Sequence, residues 1–135
     1  MSKDKVKIIV VDDDYSFRKA VARILVANKY RVVELSNSLR VISSIIKEKP
    51  DLILLDLCMP EADGIEIIQT MKRLKIEIPI LVVSGNLQRL DVRILKDRGA
   101  IDIMVKPIHM KKLLTKVKEI LGSGAVKNNY EPINR

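Results

Sequence analysis

Polar residues follow several hydrophobic runs of this sequence at points where they could act together. Directly after runs rich in Val, Ile or Leu come Asp12-Asp13-Asp14, Asp56, Ser84 and Lys106-Pro107. In an open parallel α/β sheet, ligands bind outside the carboxyl ends of the strands, so this placement predicts that the polar side chains converge. Because adjacent strands lie only about 4.8 Å apart, Asp12, Asp13 and Asp56 are expected to crowd one spot.

The predicted cluster of three carboxylates calls for a cation, because like charges at such distances repel one another. Mg2+ fits, since it takes oxygen ligands and keeps several waters that leave room for phosphate oxygens. Lys106 would add a fixed positive charge, and Ser84 would add a hydroxyl donor. These groups are the parts needed for phosphoryl transfer, in which catalysis is mostly positioning and charge neutralisation.

The carboxylate predicted to attack phosphorus is Asp56. It stands alone at the start of a long loop, whereas Asp12 and Asp13 are paired, as metal ligands tend to be. A carboxylate that attacks phosphorus becomes an acyl phosphate. Asp14 has a separate predicted role, because an aspartate at this point caps the first turn of a following helix.

Five short apolar runs are predicted to be the strands that position these residues. Most of them are nearly continuous rather than alternating, which is typical of strands buried on both faces of a parallel sheet. The runs are Val6 to Val11, Arg31 to Leu35, Leu52 to Leu55, Ile80 to Val83 and Ile101 to Val105.

Segments with helical spacing separate and follow the runs, and each carries one apolar stripe. The stripes are Phe17, Ala20, Val21, Ile24 and Leu25; Ile42, Ile45 and Ile46; Ile67, Ile68 and Met71; Leu87, Leu90 and Ile94; and Leu113, Leu114, Val117 and Leu121. The strict alternation predicts an α/β fold, a doubly wound five-stranded parallel sheet with helices on both faces.

Length and composition restrict the class of protein. The 135 residues fit one domain, and the single cysteine, Cys58, excludes a disulfide framework and a cysteine-based zinc site. No apolar run approaches the ~20 residues of a membrane span, and the first residues lack a signal peptide's apolar stretch, so a cytoplasmic protein with no membrane partner is expected. A folded domain is expected over residues 1–121, with 122–135 a flexible tail or linker.

The formal net charge of +8 raises the question of a nucleic-acid partner. Only 3% of the residues are aromatic, so few rings are available to stack on bases, and direct nucleic-acid binding is not expected. Basic residues are concentrated in the last two helical segments, at Arg89, Arg93, Lys96, Arg98, Lys111, Lys112, Lys116 and Lys118. This concentration favours a docking face for an acidic partner, with an ordinary solvated surface as the alternative.

Four motifs resemble those of response regulator receiver domains in two-component signalling. They are VVDDD (10–14), LILLDLCMPEADG (52–64), LVVSG (81–85) and DIMVKP (102–107). The resemblance covers about residues 5–121 and implies a flavodoxin-like sheet with strand order 2-1-3-4-5. It also implies a phosphoacceptor rather than an enzyme, one that assists only its own phosphorylation and dephosphorylation.

The same resemblance implies a role for each acidic residue of the predicted cluster. Asp56 resembles the phosphorylated aspartate of the family. Asp13 resembles a direct Mg2+ ligand, with Asp12 acting mainly through bound water. The backbone carbonyl of Cys58 resembles the third protein ligand.

Further roles implied by the resemblance concern activation and partners. Ser84 resembles the hydroxyl residue that follows the phosphoryl group, and Lys106 resembles the lysine that pairs with the acceptor and then the phosphate. The bond from Lys106 to Pro107 would be cis. The donor would be a histidine kinase or a phosphotransfer protein. The fourth helix, fifth strand and fifth helix would form the face for a downstream protein or a second copy of the chain.

The sequence departs from the family pattern at two places. Ile103 occupies the position, three residues before the lysine, where the family usually has the aromatic residue that turns inward on activation. After Pro107 the chain continues Ile108-His109-Met110-Lys111-Lys112, where the family often has an acidic or small polar cap. Lysines in a first helical turn oppose the helix dipole, which favours a use in docking an acidic partner.

Two rival functions remain open on the sequence alone. Asp12-x-Asp14 after a hydrophobic strand also resembles the start of the haloacid-dehalogenase phosphatases, in which the first aspartate is the nucleophile, although the later acidic pair of that family is missing. The other rival is a receiver fold that binds an acidic partner through its basic face whether or not it is phosphorylated.

Overall fold

A computed structural model of the chain describes residues 5–59, 62–85 and 89–122. Five parallel strands form one sheet in the order β2-β1-β3-β4-β5. They are β1 (Lys7–Val11), β2 (Arg31–Leu35), β3 (Leu52–Leu55), β4 (Ile80–Ser84) and β5 (Ala100–Val105). The predicted fold class and the strand order 2-1-3-4-5 are confirmed, and the strand bounds differ from the predicted ones by one residue at most.

Helices cover both faces of this sheet, as the alternating pattern predicts. They are α1 (Tyr15–Ala27), α2 (Val41–Glu48), α3 (Gly64–Arg73), α4 (Arg89–Arg98) and α5 (Met110–Leu121). Helices α1 and α5 pack with one half of the core, and α2, α3 and α4 pack with the other half. Successive residues of β1 alternate between the two halves, so that Ile8 faces α1 and α5 while Ile9 faces the opposite layer. Within the described ranges, no helix is long and apolar enough to cross a membrane.

One of the predicted apolar stripes is partly wrong, and another is incomplete. Ile46 was expected to face the core, but it is 59% exposed, and α2 buries Val41 and Ile45 instead. The reason is that α2 is only eight residues long, so its buried face is limited to positions one turn apart. Among the α4 side chains that the structure describes (93–97), the fully buried one is Leu95, which the sequence prediction missed. Leu87 and the side chain of Leu90 lie outside the described part.

The start of α1 follows the prediction made for Asp14. Its carboxylate Oδ1 accepts a hydrogen bond from the backbone N–H of Phe17 at 3.1 Å, which satisfies one of the free amides of the first turn. Helix α5 begins differently, because His109 provides no side-chain cap and the first turn contains no acidic residue. Lys111 and Lys112 are exposed there, as the sequence predicts.

Lysines, rather than glycines, end three of the helices in the left-handed conformation. Lys29, Lys49 and Lys75 have φ angles of 74°, 50° and 60°. At the end of α1, Lys29 N–H donates to the carbonyl of Val26, and Tyr30 N–H donates to that of Leu25, at 3.0 and 3.1 Å. This pair of hydrogen bonds is a Schellman motif, whose left-handed residue is usually glycine because a Cβ is strained there.

Replacing Lys29 by glycine is expected to raise the free energy of unfolding by about 0.5 kcal/mol, since it removes the strain of a side chain at positive φ. Replacing Lys29 by alanine keeps that strain and also removes a cation that is favourable at a helix carboxyl end. The alanine variant should therefore be slightly less stable than the parent chain in urea titrations. If the Lys29→Gly variant is no more stable than the Lys29→Ala variant, this explanation is contradicted.

Candidate phosphoryl-transfer and metal site

The carboxyl ends of four strands bring the predicted site residues together. Val11 and Leu55 are register partners in β1 and β3, so Asp12 and Asp56 leave the sheet side by side. The Asp56 N–H donates to the Val11 carbonyl at 3.0 Å, which continues the strand pairing into the site. On the other side, the Lys106 N–H donates to the Ser84 carbonyl at 2.9 Å. The convergence predicted from the strand ends is therefore present.

The three predicted metal-binding carboxylates form one cluster. Asp12, Asp13 and Asp56 each offer an oxygen, and these oxygens lie within 4.8 Å of one another. Asp12 and Asp56 are only 2% and 4% exposed, while Asp13 is exposed to solvent. A set of carboxylate oxygens with one side open to water fits a hard divalent cation such as Mg2+, which keeps part of its hydration shell.

Cys58 lies two residues after Asp56, in the loop that follows β3. Its backbone belongs to a short antiparallel pairing in which Cys58 is the partner of Asp63. The contribution of the Cys58 carbonyl to the metal site stays a prediction.

The ammonium group of Lys106 neutralises part of the carboxylate cluster. Its Nζ lies 2.8 Å from Asp12 Oδ2 and 3.6 Å from Asp56 Oδ2. The same Nζ lies 4.2 Å from the centre of the Phe17 ring, a distance at which a cation is attracted to an aromatic face. Phe17 was predicted only as a core residue of α1. Its position one turn after Asp14 is the signal that could have placed it beside the site.

Burial and pairing change the pKa values of the two closest partners. Burial raises the pKa of the Asp12 carboxyl, which the hydrogen bond from Lys106 only partly offsets, and the nearby charge of Asp56 adds to the increase. Burial works to lower the pKa of Lys106, but the hydrogen bond to Asp12 and the carboxylate charges outweigh it, so the pKa of Lys106 is raised. Lys106 is therefore a permanent cation at neutral pH. A further cation beside Asp12 would stabilise the ionised form of its carboxyl group.

A buried arginine that the sequence prediction missed holds the backbone at Asp12. Arg18 of α1 donates from its guanidinium to the Asp12 carbonyl at 2.9 Å and from Nε to Glu34 at 3.1 Å. The Asp14 N–H donates to Asp12 Oδ1 at 2.8 Å. Glu34 also pairs with Lys19 at 3.1 Å. These contacts orient Asp12 through groups of the protein itself.

Ser84 and Pro107 complete the predicted set. The Ser84 side chain is fully buried at the carboxyl end of β4, where its strand partner is Val105. The peptide bond between Lys106 and Pro107 is cis, as the resemblance implies. Ser84 is therefore at the predicted edge of the sheet, and its role toward a phosphoryl group stays a prediction.

Ile103, at the position of the family's aromatic residue, is partly buried. Its side chain packs against the half of the core that α2, α3 and α4 cover. Its backbone N–H donates to the carboxylate of Asp102 at 2.8 Å. The position thus holds a short aliphatic side chain that already contacts the core.

The basic face formed by α4, β5 and α5 contains an acidic centre. Asp102 of β5 pairs with Lys116 at 2.8 Å and lies 4.0 Å from Lys96 Nζ. Lys116 also pairs with Glu119 at 3.3 Å. Burial works to raise the pKa of Asp102, but the hydrogen bond from Lys116 and the other contacts outweigh it, so this pKa is lowered. Part of the positive charge on this face is therefore paired with carboxylates of the domain itself.

Gly64, the first residue of α3, packs tightly against the loop that carries Asp56. A Cβ added at Gly64 would collide with the Leu57 side chain and lie 3.1 Å from Leu57 Cα. Among the described residues, a Cβ added at Gly85 would, by contrast, meet one atom within 4 Å, the Cβ of Lys106 at 3.9 Å. The first contact involves backbone and has little room to relax, whereas the second is an ordinary van der Waals distance.

Gly64→Ala is expected to lower the free energy of unfolding by about 2 kcal/mol, because overpacking against backbone forces a shift of the chain. Gly85→Ala is the matched control, with an expected change within about 0.5 kcal/mol. Urea unfolding of both variants measures the difference. Equal effects of the two substitutions would show that the contact with Leu57 is not the cause.

Comparisons with known proteins agree with this geometry. A family model described as the response regulator receiver domain matches residues 8–118. Sporulation initiation phosphotransferase F of Bacillus subtilis (strain 168) is 30% identical over 115 residues, which cover 85% of this chain and 93% of that protein. The alkaline phosphatase synthesis transcriptional regulatory protein PhoP of the same organism is 34% identical over 115 residues, which cover 85% of this chain and 48% of that protein. The chain thus spans about half the length of PhoP.

A solved structure adds support for the fold. A CheY-like response regulator receiver domain protein from Methanospirillum hungatei JF-1 superposes with a TM-score of 0.84 at 24% identity, covering 90% of this chain and 98% of that one. The chain belongs to the response regulator receiver domain family. Receiver domains are signalling domains rather than conventional enzymes, and response regulators receive phosphoryl groups from histidine kinases or phosphotransfer proteins.

Proposed function

We propose that this domain accepts a phosphoryl group on Asp56 in a reaction that depends on Mg2+. The observation that carries the proposal is the cluster of Asp12, Asp13 and Asp56, with the Lys106 ammonium 2.8 and 3.6 Å from two of the carboxylates. The carboxylates and the Cys58 carbonyl would hold the ion, which supplies charge neutralisation for the phosphoryl oxygens. The donor is a phosphohistidine of a histidine kinase or a phosphotransfer protein.

The proposed transfer is a displacement at phosphorus. An oxygen of Asp56 forms a bond to phosphorus while the P–N bond of the phosphohistidine breaks, and the electron pair of that bond returns to the imidazole. Lys106, already 3.6 Å from Asp56, pairs with a phosphoryl oxygen. The Ser84 hydroxyl, buried at the same sheet edge, donates a hydrogen bond to another. Positioning and charge neutralisation therefore provide the catalysis.

The proposed output is a change in partner binding on the face of α4, β5 and α5. The salt bridges of Asp102 with Lys116 and Lys96 link all three elements of this face, so a small movement of β5 alters the surface that a partner meets. Ile103 lies next to Asp102 on β5 and contacts the core. If Ile103 turns inward when Ser84 moves toward the phosphoryl group, the group that moves is smaller than the aromatic ring usual at this position.

Mass spectrometry of the intact chain tests the proposed reaction. The protein is incubated with phosphoramidate, which carries the P–N bond of the donor class, in Mg2+ or in EDTA. One phosphoryl adduct is expected in Mg2+ alone, and none for Asp56→Asn. Asp97→Asn, which removes an exposed carboxylate from α4, is the control and should be modified like the parent chain. An adduct that forms equally in EDTA, or on Asp56→Asn, would refute the proposal.

A second candidate function is binding of an acidic partner regardless of phosphorylation, favoured by the lysines in the first turn of α5 and by Ile103. Beryllofluoride, a mimic of the phosphoryl group, separates the two candidates. Partner affinity that changes with beryllofluoride supports the switch. Affinity that is unchanged supports the second candidate.

A further inference from the structure

A groove lies at the edge of the sheet opposite to the carboxylate cluster. The carboxyl ends of α3 and α4 and the first residues of β4 and β5 enclose about 580 Å³, within the usual range of ligand-binding pockets. Its walls include Ile76, Ile78 and Ile101, and Ile101 is 41% exposed. An apolar surface of this kind, open to solvent, is typical of a contact site.

The charged residues that line this groove are mainly basic. Three lysines, Lys72, Lys75 and Lys96, line it together with one acidic residue, Glu77. Lys96 Nζ lies 4.0 Å from Asp102, whereas Lys72 and Lys75 have no carboxylate within 4.0 Å in the part of the chain that the structure describes. Negatively charged groups of a partner would therefore be attracted to the groove.

The form of the groove favours a peptide over a small ligand. All four of its charged side chains are exposed, and a small-molecule site normally fixes its ligand with convergent polar groups inside the pocket. A protein segment can instead place an apolar side chain in the groove and several carboxylates around it, which is the usual arrangement of an apolar centre with a polar rim.

We propose that this groove docks an acidic segment of a partner protein, with an apolar side chain between Ile76, Ile78 and Ile101 and carboxylates on Lys72 and Lys75. The groove adjoins the amino ends of β4 and β5, whereas Ser84 and Lys106 lie at their carboxyl ends, roughly 13 Å away along β4. This docking is thus separate from the phosphoryl site and goes beyond the function proposed above.

Fluorescence anisotropy with a designed peptide tests the proposal. The probe is a fluorescein-labelled 14-residue helix-forming peptide with Leu and Phe on one face and Glu elsewhere. At low salt it should bind with a Kd of about 10–100 µM, in the range of weak transient contacts. Two control peptides, one with Lys for every Glu and one with Ser for Leu and Phe, should bind at least tenfold more weakly.

Charge-matched variants of the full chain locate the binding site. Lys72→Glu with Lys75→Glu should weaken binding at least tenfold, and Ile101→Ser should weaken it several-fold. Arg23→Glu with Lys47→Glu makes the same charge change at exposed positions of α1 and α2 that do not line the groove, and should alter the Kd by less than twofold. If Lys75→Glu unfolds the chain, Lys72→Glu alone, at an exposed helical position, should still weaken binding about threefold.

Three results would overturn the proposal. The first is no saturable binding of the acidic peptide. The second is an equal loss of affinity in the two double variants, which would show attraction to net charge alone. The third is binding of dodecyl phosphate as tightly as the peptide, lost in the same groove variants, which would assign the groove to a small anionic amphiphile.

Discussion

Lys106→Met is expected to lower the free energy of unfolding by roughly 3 kcal/mol in EDTA, the typical effect of leaving a buried charge without its partner. Lys106 Nζ contacts Asp12 and Asp56, which are both buried. Methionine keeps the length of the aliphatic chain but removes the ammonium group and, with it, the attraction to the Phe17 ring. The attraction of the Lys106 ammonium to the two neighbouring carboxylates is then lost.

The loss of stability in Lys106→Met should depend on pH in a definite direction. The pKa of Asp12 is already raised in the folded chain, and removing Lys106 raises it further. A carboxyl whose folded pKa lies above its unfolded value stabilises the fold at low pH and loses that contribution as pH rises through the folded value. The deficit against the parent chain should therefore be smaller at pH 5 than at pH 8.

Urea titrations at the two pH values, with Lys112→Met as the control at an exposed position, measure this effect. The control should change the free energy of unfolding by less than about 0.5 kcal/mol. If the Lys106→Met variant is as stable as the control at pH 8, Lys106 does not neutralise the carboxylate cluster.

Asp13→Asn should separate stability from metal binding. In EDTA the variant is expected to be more stable than the parent chain by roughly 1 kcal/mol, because one of three mutually repelling carboxylates is gone. Its affinity for Mg2+ should fall at least tenfold, since an oxygen ligand has lost its charge. Asp13 is suited to this test because it is the exposed member of the cluster, so the substitution disturbs little packing.

The midpoint of thermal unfolding, recorded over a series of Mg2+ concentrations, reports both effects. Binding to the folded state alone raises stability with ligand concentration, so the parent chain and Asp97→Asn should show a rise that Asp13→Asn shows only at much higher Mg2+. A rise of equal size at equal Mg2+ in all three proteins would exclude the cluster as the binding site.

The sheet and the site could both be predicted because the end of each apolar run marks the end of a strand and also the position of a site residue. Strands buried on both faces must be continuously apolar, so the first polar residue after each run marks the carboxyl edge where Asp12, Asp56, Ser84 and Lys106 meet. The extent of the domain, 1–121, stays a prediction, and all of the predicted tail except Gly122 lies outside the described residues.

Features that depend on the exact contact between elements could not be predicted. Arg18 reads as a surface residue of α1, and only its approach to the Asp12 carbonyl and Glu34 explains its burial. The left-handed lysines read as helical residues, because nothing in their type signals a positive φ. Lys72 and Lys75 were not among the basic residues predicted to form the docking face, since the groove they line exists only when α3 packs beside α4.

The central claim is that Asp56, within the carboxylate cluster, carries the phosphoryl group. Identifying the phosphorylated residue tests this claim most directly. The chain is incubated with Mg2+ and acetyl phosphate, the acyl phosphate is reduced with borohydride to homoserine, and the peptides are sequenced by mass spectrometry. Homoserine is predicted at position 56 alone, and at no position in Asp56→Asn. Homoserine at position 12, as a phosphatase-type nucleophile would leave, or none in the parent chain, would contradict the account.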